Sequence, residues 1–410
     1  MTRRKLFELG LLAPAMNAAA APPLPPCDGT GKKKIAAIVT EYRYNSHADV
    51  LIGRLMAGYS ANGVWTPPLN HIVSLFADQT PANDQSRDLA ARNGFRIYPT
   101  VREALTLGGD KLAVDGVVFV GEHGNYPLND VGQKMYPRHR LFSQILDVYE
   151  QSGRSVPTLF DKHFSYSWDQ ADEMYRRAKK LGFPFMAGSS IPVTVRQPAM
   201  DPPLDAPITE AVSLGYADPD AYGFHTIEGL QCMVERRKGG ETGIQSVQWI
   251  QGDDVWKWRD SERGSWSKPL LEEAARMQLR LLPGPLESTA KDPVLFVFNY
   301  IDGLKGASLV LTHNSANFSV AMRVKGQDTL LSTLEGGPTG RPLPNWDGFA
   351  RCVDLLMATG QTTWPSERTL LTTGALSFCF ESKRQGGKEI ETPQLKIKYR
   401  APTHSWFQTA

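Results

Sequence analysis

Residues 32–55, KKKIAAIVTEYRYNSHADVLIGRL, decide the fold. The apolar run at 35–39 has the length and composition of a buried parallel strand. The amphipathic stretch from about His47 has those of the helix that follows such a strand. A dinucleotide-binding βαβ unit carries glycines in the intervening turn, so that backbone can approach a pyrophosphate at the helix N-terminus. Here the turn holds Glu41, Tyr42, Arg43 and Tyr44, with no glycine. The element order predicts a nucleotide-type sheet, while the turn predicts that a different group meets its first helix.

Working outward, apolar runs at 72–76, 117–120, 156–160 and 184–187, with a shorter one near 96–98, alternate with helical patterns such as DQSRDLAARNG and QADEMYRRAKKLG. This alternation predicts an α/β fold class with an N-terminal Rossmann-like doubly wound parallel sheet over 32–195. Beyond the proline-rich RQPAMDPPLDAP the pattern changes. A helix at GFHTIEGLQCMVERRKGG precedes strand-like runs at 244–250, 294–299 and 307–312, and helices follow around 346–358 and 366–382. These predict a C-terminal α+β domain, 205–410, with a mainly antiparallel open sheet. An open sheet needs its apolar face covered, so that face is expected to be a homo-oligomer surface.

The length of 410 residues suits two domains, and a net charge of +2 without a long basic run argues against nucleic acid as partner. After the N-terminus no stretch is apolar for long enough to embed the chain in a membrane. Residues 1–21 read as an export signal of the twin-arginine type: Arg3 and Arg4, a modest apolar stretch, then a small-residue cleavage site. They predict a periplasmic protein. Cys27, Cys232, Cys352 and Cys379 form no C-x-x-C pair and no zinc spacing, and spacing alone does not pair them.

In an open α/β sheet, ligands bind beyond the carboxyl ends of the strands. Glu41 and His47 follow the first strand, Glu122 and His123 follow VVFVG, and Asp161, Lys162 and His163 follow VPTLF. His225 and Glu228, three apart, share one face of a later helix. Converging carboxylates and imidazoles suit either acid–base work or a divalent metal, for which Glu41, Glu122, His123 and His163 are the candidate ligands. The segment NYPLNDVGQKMYPRHR has the composition of a sugar-binding loop and equally of a surface turn. No G-x-S-x-G elbow, P-loop or H-E-x-x-H occurs.

Several longer stretches resemble the glucose–fructose oxidoreductase / inositol dehydrogenase (Gfo/Idh/MocA) family. HIVSLFADQTPANDQSRDLAARNGFRIYPTVREAL is similar to its second strand, terminal acid and following helix. SVPTLFDKHFSYSWDQADEMYRRAKKLGFPFMAGSS is similar to its E-K-P strand and helix, and AYGFHTIEGLQCM to its D-x-G-x-H-x-x-D helix. The resemblance implies a carbohydrate oxidoreductase. Lys162 would be the catalytic lysine between Asp161 and His163, His225 its proton-transfer partner, and Asp78 the ribose-binding acid for NAD(P). The departures are specific: Val39, Glu41 and Tyr44 stand at the three glycine positions, Gly121-Glu122-His123 replaces T-P-N, Ala221 replaces the first Asp of the helix motif and Glu228 the second. They imply non-standard or lost NAD(P) binding. Two other readings stay open, a metal-dependent sugar lyase, isomerase or hydrolase, and a non-catalytic sugar-binding protein on the same scaffold.

Overall fold

Short apolar segments that cannot be buried singly are gathered here into two sheets. In the first half of the chain the elements are β1 (Lys34–Val39), α1 (His47–Ala57), a hairpin of β2 (Tyr59–Ala61) and β3 (Val64–Thr66), β4 (His71–Ala77), α2 (Ser86–Asn93), β5 (Arg96–Ile97), α3 (Val101–Thr106), β6 (Gly116–Val120), α4 (Arg138–Ser152), β7 (Thr158–Asp161), α5 (Trp168–Leu181) and β8 (Phe185–Gly188). The computed structural model describes residues 31–279, 281–312, 317–336 and 343–408. The leader at 1–21 and Cys27 lie outside the described residues.

Six of these strands pair in the order β5-β4-β1-β6-β7-β8, all parallel. The order reverses between β1 and β6, and the crevice at such a reversal is where open α/β sheets bind ligands. The chain places Glu41 just past one of these two strands and Glu122 just past the other. Residues of β1 and β6 are buried on both faces, which is why their sequences read as continuous apolar runs.

The second half contains β9 (Arg196–Gln197), β10 (Ile208–Tyr216), α6 (Ala221–Val234), β11 (Ile244–Gln251), α7 (Asp254–Arg259), α8 (Ser267–Met277), α9 (Leu286–Thr289), β12 (Val294–Tyr300), β13 (Lys305–Leu311), β14 (Phe318–Val324), β15 (Leu331–Glu335), α10 (Asp347–Thr359), α11 (Ser366–Arg384) and β16 (Ile390–Glu391). Eight strands pair in the order β16-β11-β12-β13-β10-β14-β15-β9, antiparallel except for β10 with β13. One face packs on α6 and α11 through Phe224, Leu230, Phe296 and Leu376.

The other face corrects an expectation. Val212, Leu214, Leu295 and Leu309 are covered by Val255, Leu270, Leu271 and Leu286 of α7, α8 and α9. The apolar sheet face expected to meet a second copy is thus closed within the chain, because the residues between β11 and β12 fold back as helices.

Helix α10 also departs from the order of the sequence. It belongs to the half of the chain beyond 205, yet Phe349, Val353 and Leu356 are buried with Val39, Leu51 and Val118 of the parallel sheet and α1. Each such side chain contributes about 1.5–3 kcal/mol on burial. Asp354 locks the helix in place, accepting from Tyr59 Oη at 3.0 Å, Leu69 N at 2.8 Å and Asn70 Nδ2 at 2.6 Å. No described helix is long and apolar enough to cross a membrane.

Candidate active site

Three strand ends and two helix starts converge at the carboxyl side of the parallel sheet. Thr40 Oγ1, past β1, donates to the Glu122 carbonyl, past β6, at 2.7 Å and ties these ends together. His123 and Lys162 sit in the left-handed backbone region, with φ of 72° and 74°. Non-glycine residues held there cost on the order of 1–3 kcal/mol each and cluster at functional sites. The Lys162 backbone is fixed by its N–H donating to the Gly188 carbonyl at 2.9 Å.

Lys162 is almost fully buried. Its Nζ donates to the Ala221 carbonyl at the start of α6, at 2.8 Å, and lies 3.6 Å from Glu122 Oε1. Glu122 also pairs with Arg138 through Oε2. Burial works to raise the Glu122 pKa, but Lys162 and Arg138 together overcome it and hold the carboxyl well below the usual range. Arg138 is itself a junction: Nε donates to the Gly121 carbonyl at 2.8 Å, and Nη1 lies 2.7 Å from His163 Nε2. Gly121 is required for this, since a β-carbon there would come within 2.7 Å of Arg138 Cγ.

His47, the first residue of α1, places Nδ1 2.7 Å from Asp161 Oδ2. Asp161 Oδ1 is buried with no partner among the described residues. The His47 ring lies edge-on to Trp346 at 4.5 Å and stacks with His225 at 6.3 Å between centroids. Burial, then Lys162 and His47, drive the His225 pKa well below its ordinary value, so this imidazole is neutral. His47, with 14 % of its side chain exposed, is the most accessible member of the group.

Glu228 lies behind these residues rather than among them. Its Oε2 accepts from Ser189 N at 2.9 Å and from Ser189 Oγ at 2.5 Å, and burial raises its pKa to about 7. Lys162, Asp161, His47, His225 and Glu122 are brought together. Arg138, Tyr222 and Trp346 are additions that sequence reasoning did not single out. Tyr222 stands beside His225 at 5.8 Å and under the Lys162 ammonium at 5.8 Å.

The metal reading is not supported by these positions. Glu41 is engaged by Arg43 Nε at 2.5 Å, Glu122 by Arg138 and Lys162, and His163 Nε2 by Arg138. Three of the four proposed ligands are therefore engaged by cations of the protein, and the fourth, His123, accepts through Nδ1 from the His47 N–H. Among the described residues no group of three or more His, Cys, Asp or Glu is arranged to hold a metal ion.

The residues at the dinucleotide position do not fit a pyrophosphate laid on α1. The His47 N–H, the first amide of the helix, faces His123 Nδ1 at 3.4 Å, and the Asp49 N–H is capped by Ser46 Oγ at 3.2 Å. Two of the amides that would cradle an anion thus already have partners within the chain. Burial, then the neighbouring His47, lowers the His123 pKa to about 3, leaving a neutral imidazole that brings no charge of its own to a phosphate. Asp78 accepts from Arg140 Nη2 at 2.7 and 2.9 Å and from Tyr126 Oη at 2.8 Å, so the expected ribose acid has partners of its own.

No protein-family model and no curated protein matches the chain. Solved structures do. GenD2 from gentamicin A biosynthesis, in complex with NAD, is 14 % identical, with 91 % of this chain and 99 % of its own covered and a TM-score of 0.57. A myo-inositol dehydrogenase from Corynebacterium glutamicum is 13 % identical, with 88 % and 98 % covered and a TM-score of 0.54. The aldose-aldose oxidoreductase from Caulobacter crescentus, complexed with glycerol, is 11 % identical, with 88 % and 100 % covered and a TM-score of 0.51. At such identities the likeness is one of architecture, and it extends over nearly the whole of each chain: the protein has the two-domain fold of the Gfo/Idh/MocA-type oxidoreductases.

Proposed function

We propose that the chain is an enzyme that processes a sugar or sugar derivative by acid–base chemistry at the carboxyl ends of β1, β6 and β7. The observation that carries this reading is the His47–Asp161 pair at 2.7 Å beside buried Lys162 and neutral His225. With its Nδ1–H directed at a carboxylate, His47 has Nε2 as its basic atom. It takes the proton of a sugar hydroxyl, and Asp161 stabilises the imidazolium that results. The Lys162 ammonium is the proton donor to the substrate oxygen on which negative charge develops, which balances the proton that His47 takes, and neutral His225 is the alternative acceptor.

The substrate class is supported by the fold and by structural neighbours that include a myo-inositol dehydrogenase and an aldose-aldose oxidoreductase. The same reading includes a non-standard or lost dinucleotide site, supported by the self-satisfied start of α1 and the Asp78–Arg140 pair. It also includes export, supported by Arg3 and Arg4 before the apolar stretch. Changing both arginines to lysine should leave the chain in the cytoplasm, and unaltered export would remove that part.

The test is turnover of a panel of sugars and polyols, with and without NAD or NADP, by the protein and by Lys162→Met. Methionine keeps the volume of the stem and removes the charge. Turnover should fall about 10²-fold or more with the fold intact. A variant that folds and turns over unchanged would favour a binding protein on this scaffold instead.

A further inference from the structure

Away from the catalytic cluster, two cavities of about 490 and 460 Å³ share Trp249, Gln251 and Lys383. Together they form a trench along β11 and the end of α11. Each lies within the range that holds a small organic ligand. One end is lined by Asp220, the residue before the carbonyl that receives Lys162. The other end is lined by Gln248 and Trp258.

The lining has a definite chemistry. Trp249 is fixed between Phe296 and Phe380, with ring centroids 5.2 and 5.0 Å away, and its Nε1 donates to Gln251 Oε1 at 2.9 Å. Lys383 lies over the Trp249 ring at 4.9 Å and donates to the Val131 carbonyl at 2.7 Å. Three polar atoms of the lining residues are buried with no partner among the described residues: Asp220 Oδ1, Gln248 Oε1 and Trp258 Nε1. Leaving such groups unpaired is unfavourable, so partners from outside the chain are favoured.

Charge narrows the occupant. Asp218, Asp220, Asp254 and Asp292 line the trench against Lys257 and Lys383. Lys257 is paired with Asp254 at 2.8 Å, and Lys383 is committed to a carbonyl and to aromatic faces. Excess carboxylate repels phosphorylated and acidic chains but accepts hydroxyl hydrogen bonds, while the partly exposed Trp258 indole and the Gln248 amide suit the apolar face and the hydroxyl rim of a pyranose ring.

We propose that the trench binds the non-reacting units of a neutral oligosaccharide whose terminal unit reaches the Lys162 cluster. This rests on the carbohydrate reading above. The experiment is calorimetric titration of the full chain, its Lys162→Met variant, Trp258→Ala and Gln248→Ala with cellohexaose, maltohexaose, chitohexaose and hexalysine. At least one hexasaccharide should bind the unaltered chain, and Lys162→Met should still bind it, at most about tenfold more weakly, having lost only the contact with the terminal unit. Trp258→Ala should weaken that binding roughly tenfold. Gln248→Ala should weaken it too, and serves as the trench variant should Trp258→Ala not fold.

Binding of no hexasaccharide, binding indifferent to both trench variants, or a preference for hexalysine would overturn the proposal. Full turnover in Lys162→Met with trench-dependent glycan binding would sink the catalytic reading and leave the trench standing.

Discussion

The Nδ1 atom of His47 lies 2.7 Å from Oδ2 of Asp161, a residue 114 positions further along the chain. The contact joins the first turn of α1 to the last residue of β7, across the strand β6 that separates β1 from β7 in the sheet. A buried carboxylate in this place selects one imidazole tautomer and stabilises its protonated form. Neither effect is needed for packing, since an apolar residue of similar volume would fill the same space.

Asp161→Asn tests this relationship. The amide keeps the shape and still accepts through Oδ1, but it bears no charge and can turn its NH₂ toward the ring. Turnover should drop about 10²- to 10⁴-fold while the melting temperature changes little. The fall should lie in kcat with KM little changed. A variant that loses stability and keeps its kcat would assign Asp161 to structure.

Arg138 offers a contrast between stability and chemistry. It is 1 % exposed and holds Glu122, His163 and the Gly121 carbonyl at once. Breaking a buried ion pair from one side leaves an uncompensated charge, at a typical cost of about 3–5 kcal/mol. Glu122 keeps Lys162 at 3.6 Å when the arginine is lost, so Arg138→Met should destabilise the protein by less than that amount in urea titration. Adding Glu122→Gln to it should cost more still, since the buried Lys162 ammonium then loses the Glu122 carboxylate. A double variant more stable than Arg138→Met would show that Lys162 does not compensate Glu122 once the arginine is gone.

Much of the parallel sheet was legible because a doubly buried strand has few sequence solutions. VVFVG and VPTLF could be little else, and their ends placed Glu122 and Lys162 correctly. What was hidden depends on partners distant in sequence. Helix α10 shows a clear apolar face, but nothing in DGFARCVDLLMAT says that Val39 and Leu51 rather than the nearer sheet will cover it. Strand β10, ITEAVSLGY, was missed because its charged and hydroxyl residues interrupt the apolar pattern; Ser213 is buried by donating to the Thr226 carbonyl at 2.8 Å. Arg138 has the sequence context of a polar loop, because an arginine is seldom fully buried unless a tertiary partner waits for it.

The turn after β1 yields a direct test of cofactor use. Calorimetry of the unaltered protein with NAD and NADP should show no micromolar binding, because two amides of the first turn of α1 and the Asp78 carboxylate are already engaged. Glu41→Gln removes the carboxylate that repels a pyrophosphate and should raise any residual affinity. Micromolar binding that survives Glu41→Gln unchanged would show that the turn is an unusual nucleotide loop.

Glu228 makes a stability prediction whose sign follows from its surroundings. The carboxyl is wholly buried on α6. Just past β8, Ser189 donates to Oε2, and Gly188, the last residue of β8, lies so close that a β-carbon on it would be 2.2 Å from Oε1. Burial raises the pKa from 4.5 to about 7; Ser189 and Arg368 of α11 oppose this, and Asp161 of β7 reinforces it. Glu335 of β15, likewise raised to about 7, faces Glu228 in turn. An acid with a raised folded pKa binds more protons when folded, so its contribution is complete below about pH 4.5 and is lost as the pH climbs through about 7. Glu228→Gln cannot ionise and keeps an oxygen for the Ser189 N–H. Relative to the unaltered protein it should therefore gain stability between pH 5 and pH 8, on the order of 2–3 kcal/mol. Urea unfolding at the two pH values measures the gain directly. Parallel curves for the two proteins would mean that Glu228 ionises in the fold as readily as in the unfolded chain, and that its carboxyl is hydrated rather than enclosed behind Asp161.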